Sequence, residues 1–189
     1  MKKYLFITLL GLMQLQASAQ EQEGRTPKFI LYASAGPSLY LNNFDYFKKL
    51  VDPWSYNFSA KVMWEPRSRI AIGLKTGYRK LYDVNFPGNN GGKITLTMIP
   101  IQTAFQMKLY KGTYAHFGMG PSVFFNKISY SKGDLLNSSF LSLADISAGF
   151  GYVKTARNKM TFGAEFEYFH AAKSDENLLS LSFVMRLPL

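Results

Sequence analysis

The stretch Arg69-Ile70-Ala71-Ile72-Gly73-Leu74-Lys75-Thr76-Gly77-Tyr78-Arg79 decides the fold. Ile70, Ile72, Leu74, Thr76 and Tyr78 share one side of a two-residue period. Arg69, Ala71, Gly73, Lys75, Gly77 and Arg79 share the other. A period of two marks a β-strand, whose successive side chains point to opposite faces. Further along, Met160, Phe162, Ala164, Phe166 and Tyr168 oppose Thr161, Gly163, Glu165 and Glu167 in the same way.

Six more segments follow the rule with less contrast. Apolar Tyr56, Phe58, Ala60, Val62 and Trp64 oppose Asn57, Ser59, Lys61, Met63 and Glu65. Ile99, Ile101, Phe105 and Met107 oppose Gln102, Ala104, Gln106 and Lys108. Others begin near Phe29, Tyr114, Ala144 and Leu179, giving eight segments in all. The faces are inverted relative to a soluble barrel: the bulky face carries no charge over its middle stretches, and the other face mixes Gly, Ser and Ala with opposite charges. One Lys or Arg facing lipid at mid-bilayer costs about 2–4 kcal/mol, so its absence points to a lipid-facing exterior and a lumen filled by small and ionic residues.

Connection lengths give a separate reason. Pro66-Arg67-Ser68, Lys111-Gly112-Thr113 and Ala156-Arg157-Asn158 are short, and alternate with longer links at 42–54, 83–92, 127–139 and 171–177. The second of these contains the turn-forming run Pro87-Gly88-Asn89-Asn90-Gly91-Gly92. Outer-membrane barrels have tight periplasmic turns and longer outer loops. In hydrocarbon every backbone N–H and C=O must be paired, so a sheet crosses only when closed. The expected fold is all-β, an eight-stranded antiparallel up-and-down transmembrane β-barrel preceded by a cleavable signal peptide.

The 189 residues suit one domain. The predicted division is a signal peptide over 1–19, a flexible periplasmic lead-in over 20–28, and the barrel over 29–189. Lys2 and Lys3, an apolar run of about a dozen residues, and Ala17-Ser18-Ala19 read as a leader cleaved after Ala19. That run is short of the ~17 residues a membrane helix needs. With no cysteine and only two distant histidines, His116 and His170, a disulfide scaffold, a Cys nucleophile and a transition-metal site are not expected. No cofactor is expected either. The formal charge is +10, but the basic residues are scattered singly, which argues against nucleic acid.

Several motifs resemble the short outer-membrane β-barrel proteins of Bacteroidota, the porin-like or PorT-like group. These are Gln16-Ala17-Ser18-Ala19-Gln20, Ala35-Gly36-Pro37-Ser38, Met98-Ile99-Pro100-Ile101-Gln102 and Gly118-Met119-Gly120-Pro121-Ser122. The likeness extends to the barrel half of OmpA-type proteins. It implies an architecture and an outer-membrane location. A role in protein export is implied only by likeness to PorT-like members, and no catalytic residue comes with it.

The residues themselves predict a lumen charge network of Lys61, Glu65, Lys75, Arg79, Lys108, His116, Asp145, Glu165, Glu167 and Arg186. Buried charges are costly unless paired, so such a network reads first as structural. Trp64, Tyr78, Tyr82, Tyr152 and Tyr168 are expected as membrane-interface aromatics. The expected partners are outer-membrane lipid and lipopolysaccharide, the latter through Lys48, Lys49, Lys93, Lys127, Lys132 and Lys173, and an envelope protein complex. Three functions stay open: a structural or partner-docking barrel without catalysis, a narrow pore for small solutes, and a lipid-A-modifying enzyme using His170 near Ser174.

Overall fold

The computed structural model describes residues 28–42, 50–66, 68–86, 92–130, 135–156 and 160–189. The leader (1–19), all of the lead-in (20–28) except Lys28, and Arg67, Pro87 to Gly91, Arg157, Asn158, Lys48, Lys49 and Lys132 lie outside the described residues. Among the described residues every element is a strand: β1 (Lys28–Tyr40), β2 (Val51–Asp52), β3 (Trp54–Glu65), β4 (Ile70–Phe86), β5 (Gly92–Lys108), β6 (Thr113–Tyr130), β7 (Leu135–Thr155), β8 (Thr161–Ala171) and β9 (Glu176–Pro188). All pair antiparallel. β1 pairs with β3 on one side and β9 on the other, and β4 with β5 completes the ring. The result is a closed eight-stranded up-and-down barrel, with β2 a two-residue addition on the far end of β4 through Val51↔Val84 and Asp52↔Asp83.

Inside and outside follow the two-residue period. On β4 the outward Ile70, Ile72, Leu74 and Tyr78 are exposed, and the inward Ala71, Lys75 and Arg79 are buried. Around the wall Phe58, Ile101, Phe117, Phe150, Phe166 and Phe183 are exposed at matching outward positions. A soluble protein does not show so continuous an apolar band to water.

Two features depart from the expected layout. The links at 83–92 and 127–139 are largely strand, because β4 and β5 stay paired to Phe86↔Gly92 and β6 and β7 stay paired from Ser129↔Leu135. Alternation fades there since both faces lie beyond any hydrocarbon, yet the ladder continues. β4, β5, β6 and β7 have 17, 17, 18 and 21 residues, whereas a membrane crossing takes about 9–11. This half of the wall stands taller than the half made by β1, β3, β8 and β9.

The second departure is inside. The lumen holds two apolar clusters. Ile30, Tyr32, Met63, Ala71, Ala104 and Val184 pack toward the turn end. Tyr40, Leu81, Leu96, Met98, Phe124, Phe169, Ala171 and Leu178 pack toward the loop end, with Tyr82 and Phe140 against them. Phe124 and Phe140 stack with centroids 4.7 Å apart and planes 3° from parallel. Truncating a fully buried Phe costs about 3–5 kcal/mol. Phe124→Ala should lower the folding free energy in detergent micelles by that amount, read from urea unfolding, and an unchanged midpoint would mean the loop-end cluster does not hold the barrel.

Candidate functional site

The lumen is where the sequence concentrates chemistry. Lys61 on β3 and Lys75 on β4 are direct cross-strand neighbours, two like charges side by side on the inner face. Their compensation comes from the opposite wall. Glu165 and Glu167 stand two apart on β8, so both point inward, and β8 lies diametrically across the ring from β4. Lys61 Nζ pairs with Glu165 Oε2. Lys75 Nζ and the Arg79 guanidinium pair with the two oxygens of Glu167. All five side chains are buried. Glu165 Oε2 also accepts a hydrogen bond from Tyr114 Oη at 2.7 Å.

Aromatic rings seal this layer from both sides. Lys61 Nζ lies 5.3 Å from the ring centroids of both Tyr32 and Tyr114. The Arg79 guanidinium lies 5.0 Å from the ring of Phe169 in the loop-end cluster. Glycines make room for the rings: a Cβ on Gly151 would meet the Tyr114 ring at 2.2 Å, and one on Gly149 would meet His116 Nε2 at 2.4 Å.

A smaller network closes the turn end. Tyr32 Oη donates to Glu65 Oε1 at 2.8 Å and accepts from Gln106 Nε2 at 2.9 Å. Arg186 reaches Glu65 Oε2 at 3.0 Å, and Lys108 pairs with the same oxygen. Asp145 belongs to neither group. It accepts from Ser142 Oγ and from the Ala172 backbone N–H at 3.1 Å, tying β7 to the turn after β8.

His116, Glu165 and Glu167 offer ligand atoms within 4.8 Å of one another. His116 Nε2 is 3.5 Å from Glu165 and 3.7 Å from Glu167. Three side-chain cations already occupy those two carboxylates, so a divalent ion would have to displace them. The cluster suits a structural ion-pair layer better than a metal centre. It suits an acid/base dyad no better, because the loop-end cluster lies between this layer and that mouth of the barrel.

Of the five expected interface aromatics, Trp64, Tyr78, Tyr152 and Tyr168 are exposed on the outer wall. Tyr82 is a correction. A bulge between Lys80 and Tyr82 shifts the register of β4 against β5, and the Tyr82 ring packs inward on Tyr40 at 4.8 Å. Among the loop lysines, Lys93 pairs with Asp83 at 2.8 Å, Lys173 donates to the Leu141 carbonyl at 3.0 Å, and Lys127 is exposed. His170 Nδ1 lies 3.0 Å from Asn177 Oδ1, whereas Ser174 Oγ has no hydrogen-bond partner among the described residues. No His–Ser hydrogen bond links the two residues the hydrolase reading needs.

The inward Ile30, Met98, Phe124, Leu178 and Val184 were missed from sequence, whereas Met63, Ala71 and Ala104 were placed inward by the two-residue period. The signal of the missed residues is an apolar doublet that breaks the alternation, with one member facing each way: Ile30-Leu31, Met98-Ile99, Phe124-Phe125, Leu178-Leu179 and Phe183-Val184.

Removing one partner from a buried ion pair strands the other charge, at about 3–5 kcal/mol. Glu167→Gln leaves Lys75 and Arg79 facing a neutral amide and should destabilise the barrel by that amount in urea unfolding. Adding Lys75→Met should recover part of the loss. A Glu167→Gln variant as stable as the parent would show that the cross-lumen pairs contribute nothing net.

No family model and no curated protein matches the chain. Solved structures do. The attachment invasion locus protein Ail of Yersinia pestis aligns with a TM-score of 0.57 at 12% identity, covering 86% of this chain and 100% of that one. Ail in complex with the heparin analogue sucrose octasulfate aligns at 0.53 and 14% identity, covering 85% and 99%. Neisserial surface protein A, NspA, aligns at 0.50 and 12% identity, covering 86% and 99%. At such identities the likeness is one of fold: this chain has the architecture of the eight-stranded outer-membrane barrels.

Proposed function

We propose that the chain is an integral outer-membrane barrel that fills its own lumen and acts through the surfaces it shows beyond the bilayer, in a structural or partner-docking role. One observation carries the reading. The loop-end cluster of Leu81, Leu96, Met98, Phe124, Phe169 and Leu178 lies inside the ring, directly over the Arg79–Glu167 layer. An eight-stranded interior is just wide enough for side chains, so a solute path would need both to move. The narrow-pore reading gains no support from this arrangement, and the lipid-A hydrolase reading gains none from the rim.

The outer-membrane location rests on the apolar outer band and on the shared architecture of Ail and NspA. Residues 1–19 are the proposed export leader. Membership of the Bacteroidota PorT-like group, and with it a place in an envelope complex that serves protein export, rests on the sequence resemblance. Ail is named for attachment, which fits a barrel working through its outer surface. The taller wall of β4 to β7 is the surface we assign to partner docking, and lipopolysaccharide is the partner expected at exposed Lys127.

Location and conduction are tested separately. Leu181→Arg puts a charge on the exposed outer wall of β9 and should cost about 2–4 kcal/mol in a bilayer. Leu135→Arg, at the exposed start of β7, should cost far less. Equal, small costs at both positions would remove the membrane reading. Purified protein in planar bilayers should be silent, and a triple Leu81→Ser, Phe124→Ser, Phe169→Ser variant should conduct. A steady, selective conductance from the native chain would replace the docking reading with the pore.

A further inference from the structure

The net positive charge of the chain is not spread over the molecule. The interior is balanced, with Lys61, Lys75 and Arg79 against Asp145, Glu165 and Glu167. The strand ends and connections at the loop end are close to balanced. There Lys80, Lys93, Lys127 and Lys173 stand with Asp52, Asp83, Asp175 and Glu176, and the connections add Lys48, Lys49, Lys132, Asp45 and Asp134 in sequence. The turn end is different. Lys28, Arg69, Lys108, Lys111, Lys154 and Arg186 lie there, and the connections β3–β4 and β7–β8 add Arg67, Arg157 and Lys159 in sequence. Against these nine cations the barrel sets a single side-chain carboxylate, Glu65. Glu65 is buried and already held by Lys108 and Arg186. The lead-in before it contributes Glu21, Glu23 and Arg25.

We infer that the turn end is a cationic collar that binds the phosphate headgroups of anionic phospholipid in the leaflet on that side. The inference rests on the membrane-spanning reading above. Two features favour lipid over a soluble acidic partner. The first is height. Lys28 adjoins exposed Phe29, Arg69 adjoins exposed Ile70, Lys154 stands two residues past exposed Tyr152, and the Lys111 ammonium lies 5.0 Å from the ring of exposed Tyr110. At roughly 3.3 Å per strand residue, each cation sits at the edge of the apolar band. Lys111 and Lys154 there keep their stems on apolar surface and their charges among headgroups, while exposed Lys28 and Arg69, which share the parity of buried Ile30 and Ala71, stand on the rim at the same height. The second is distribution. The four are carried by β1, the β3–β4 connection, the β5–β6 connection and β7, so they circle the barrel instead of gathering on one side. A bilayer surrounds the protein; a docked macromolecule touches one flank. None of the four is within ion-pair distance of a described carboxylate, and all are exposed.

The test uses the full chain refolded in a zwitterionic detergent, with native mass spectrometry of lipid retention. Phosphatidylglycerol and phosphatidylcholine of the same acyl length are the probes. The native protein should retain phosphatidylglycerol in preference to phosphatidylcholine, by on the order of fivefold or more for each cation engaged. A Lys28→Gln, Arg69→Gln, Lys111→Gln, Lys154→Gln variant should lose most of that preference, and its unheated mobility in SDS should show that it still closes. A Lys93→Gln, Lys127→Gln, Lys173→Gln variant, altered at the other end, should keep it. Equal retention of both lipids, or a preference that survives the first variant and falls in the second, would overturn the collar. So would a soluble polyanion such as heparin binding through the same four residues without any lipid preference. A chain that enters neither micelles nor vesicles would fail the membrane reading itself, a result distinct from inserting without lipid preference.

Discussion

Closing eight strands into a ring sets the physical constraint on which the other features depend. Pairing β1 with β9 and β4 with β5 satisfies the backbone without a free edge, the only way a sheet can cross hydrocarbon. The same closure fixes a lumen too narrow to stay wet throughout. The inward cations then draw their carboxylate partners from other strands. Lys61 and Lys75, forced side by side by the register of β3 and β4, would repel one another without Glu165 and Glu167 opposite. Because those pairs run between facing walls, they hold the cross-section as well as neutralising charge.

The apolar layers follow from the same economy of space. A buried charge needs a partner and further hydrogen bonds before it ceases to be a liability, and Glu165 and Glu167 together accept from three cations and Tyr114. Extending such a network along the full barrel would demand more complementary groups than one wall can align. Hydrocarbon and aromatic side chains fill the rest, and the rings of Tyr32, Tyr114 and Phe169 meet the cations at both boundaries. The lumen therefore alternates apolar and ionic layers.

The outward and inward faces were legible in the sequence because they depend only on the two-residue period. Leu74 and Lys75, or Glu165 and Phe166, need no neighbour to be assigned. The closed fold was legible for the same reason, helped by the alternation of short and long links. Partners were not legible: that Arg79 meets Glu167 while Arg186 meets Glu65 depends on strand stagger and reach across the ring. Tyr82 was misplaced because one bulge reverses the parity of everything beyond it. The inner apolar cluster was overlooked because residues such as Phe124 and Leu178 sit beside outward apolar neighbours, and a doublet reads as noise in an alternating pattern.

The tall half of the wall has a different physical basis from the rest. Above the bilayer, water could satisfy the backbone of β4 to β7, so hydrocarbon no longer compels these strands to stay paired. A lone hairpin in water is marginal, but three or more strands with an apolar face persist. Here four adjacent strands continue together, and their inner side carries Leu81, Leu96, Met98, Phe124 and Phe140 as extensions of the loop-end cluster. The ion pairs of Asp83 with Lys80 at 2.6 Å and Lys93 at 2.8 Å pin the β4–β5 hairpin near its tip. The plug and the platform are thus one packing unit: the side chains that stop the lumen are those that keep the projecting sheet rigid. A change that opened the barrel would therefore also loosen the projecting sheet.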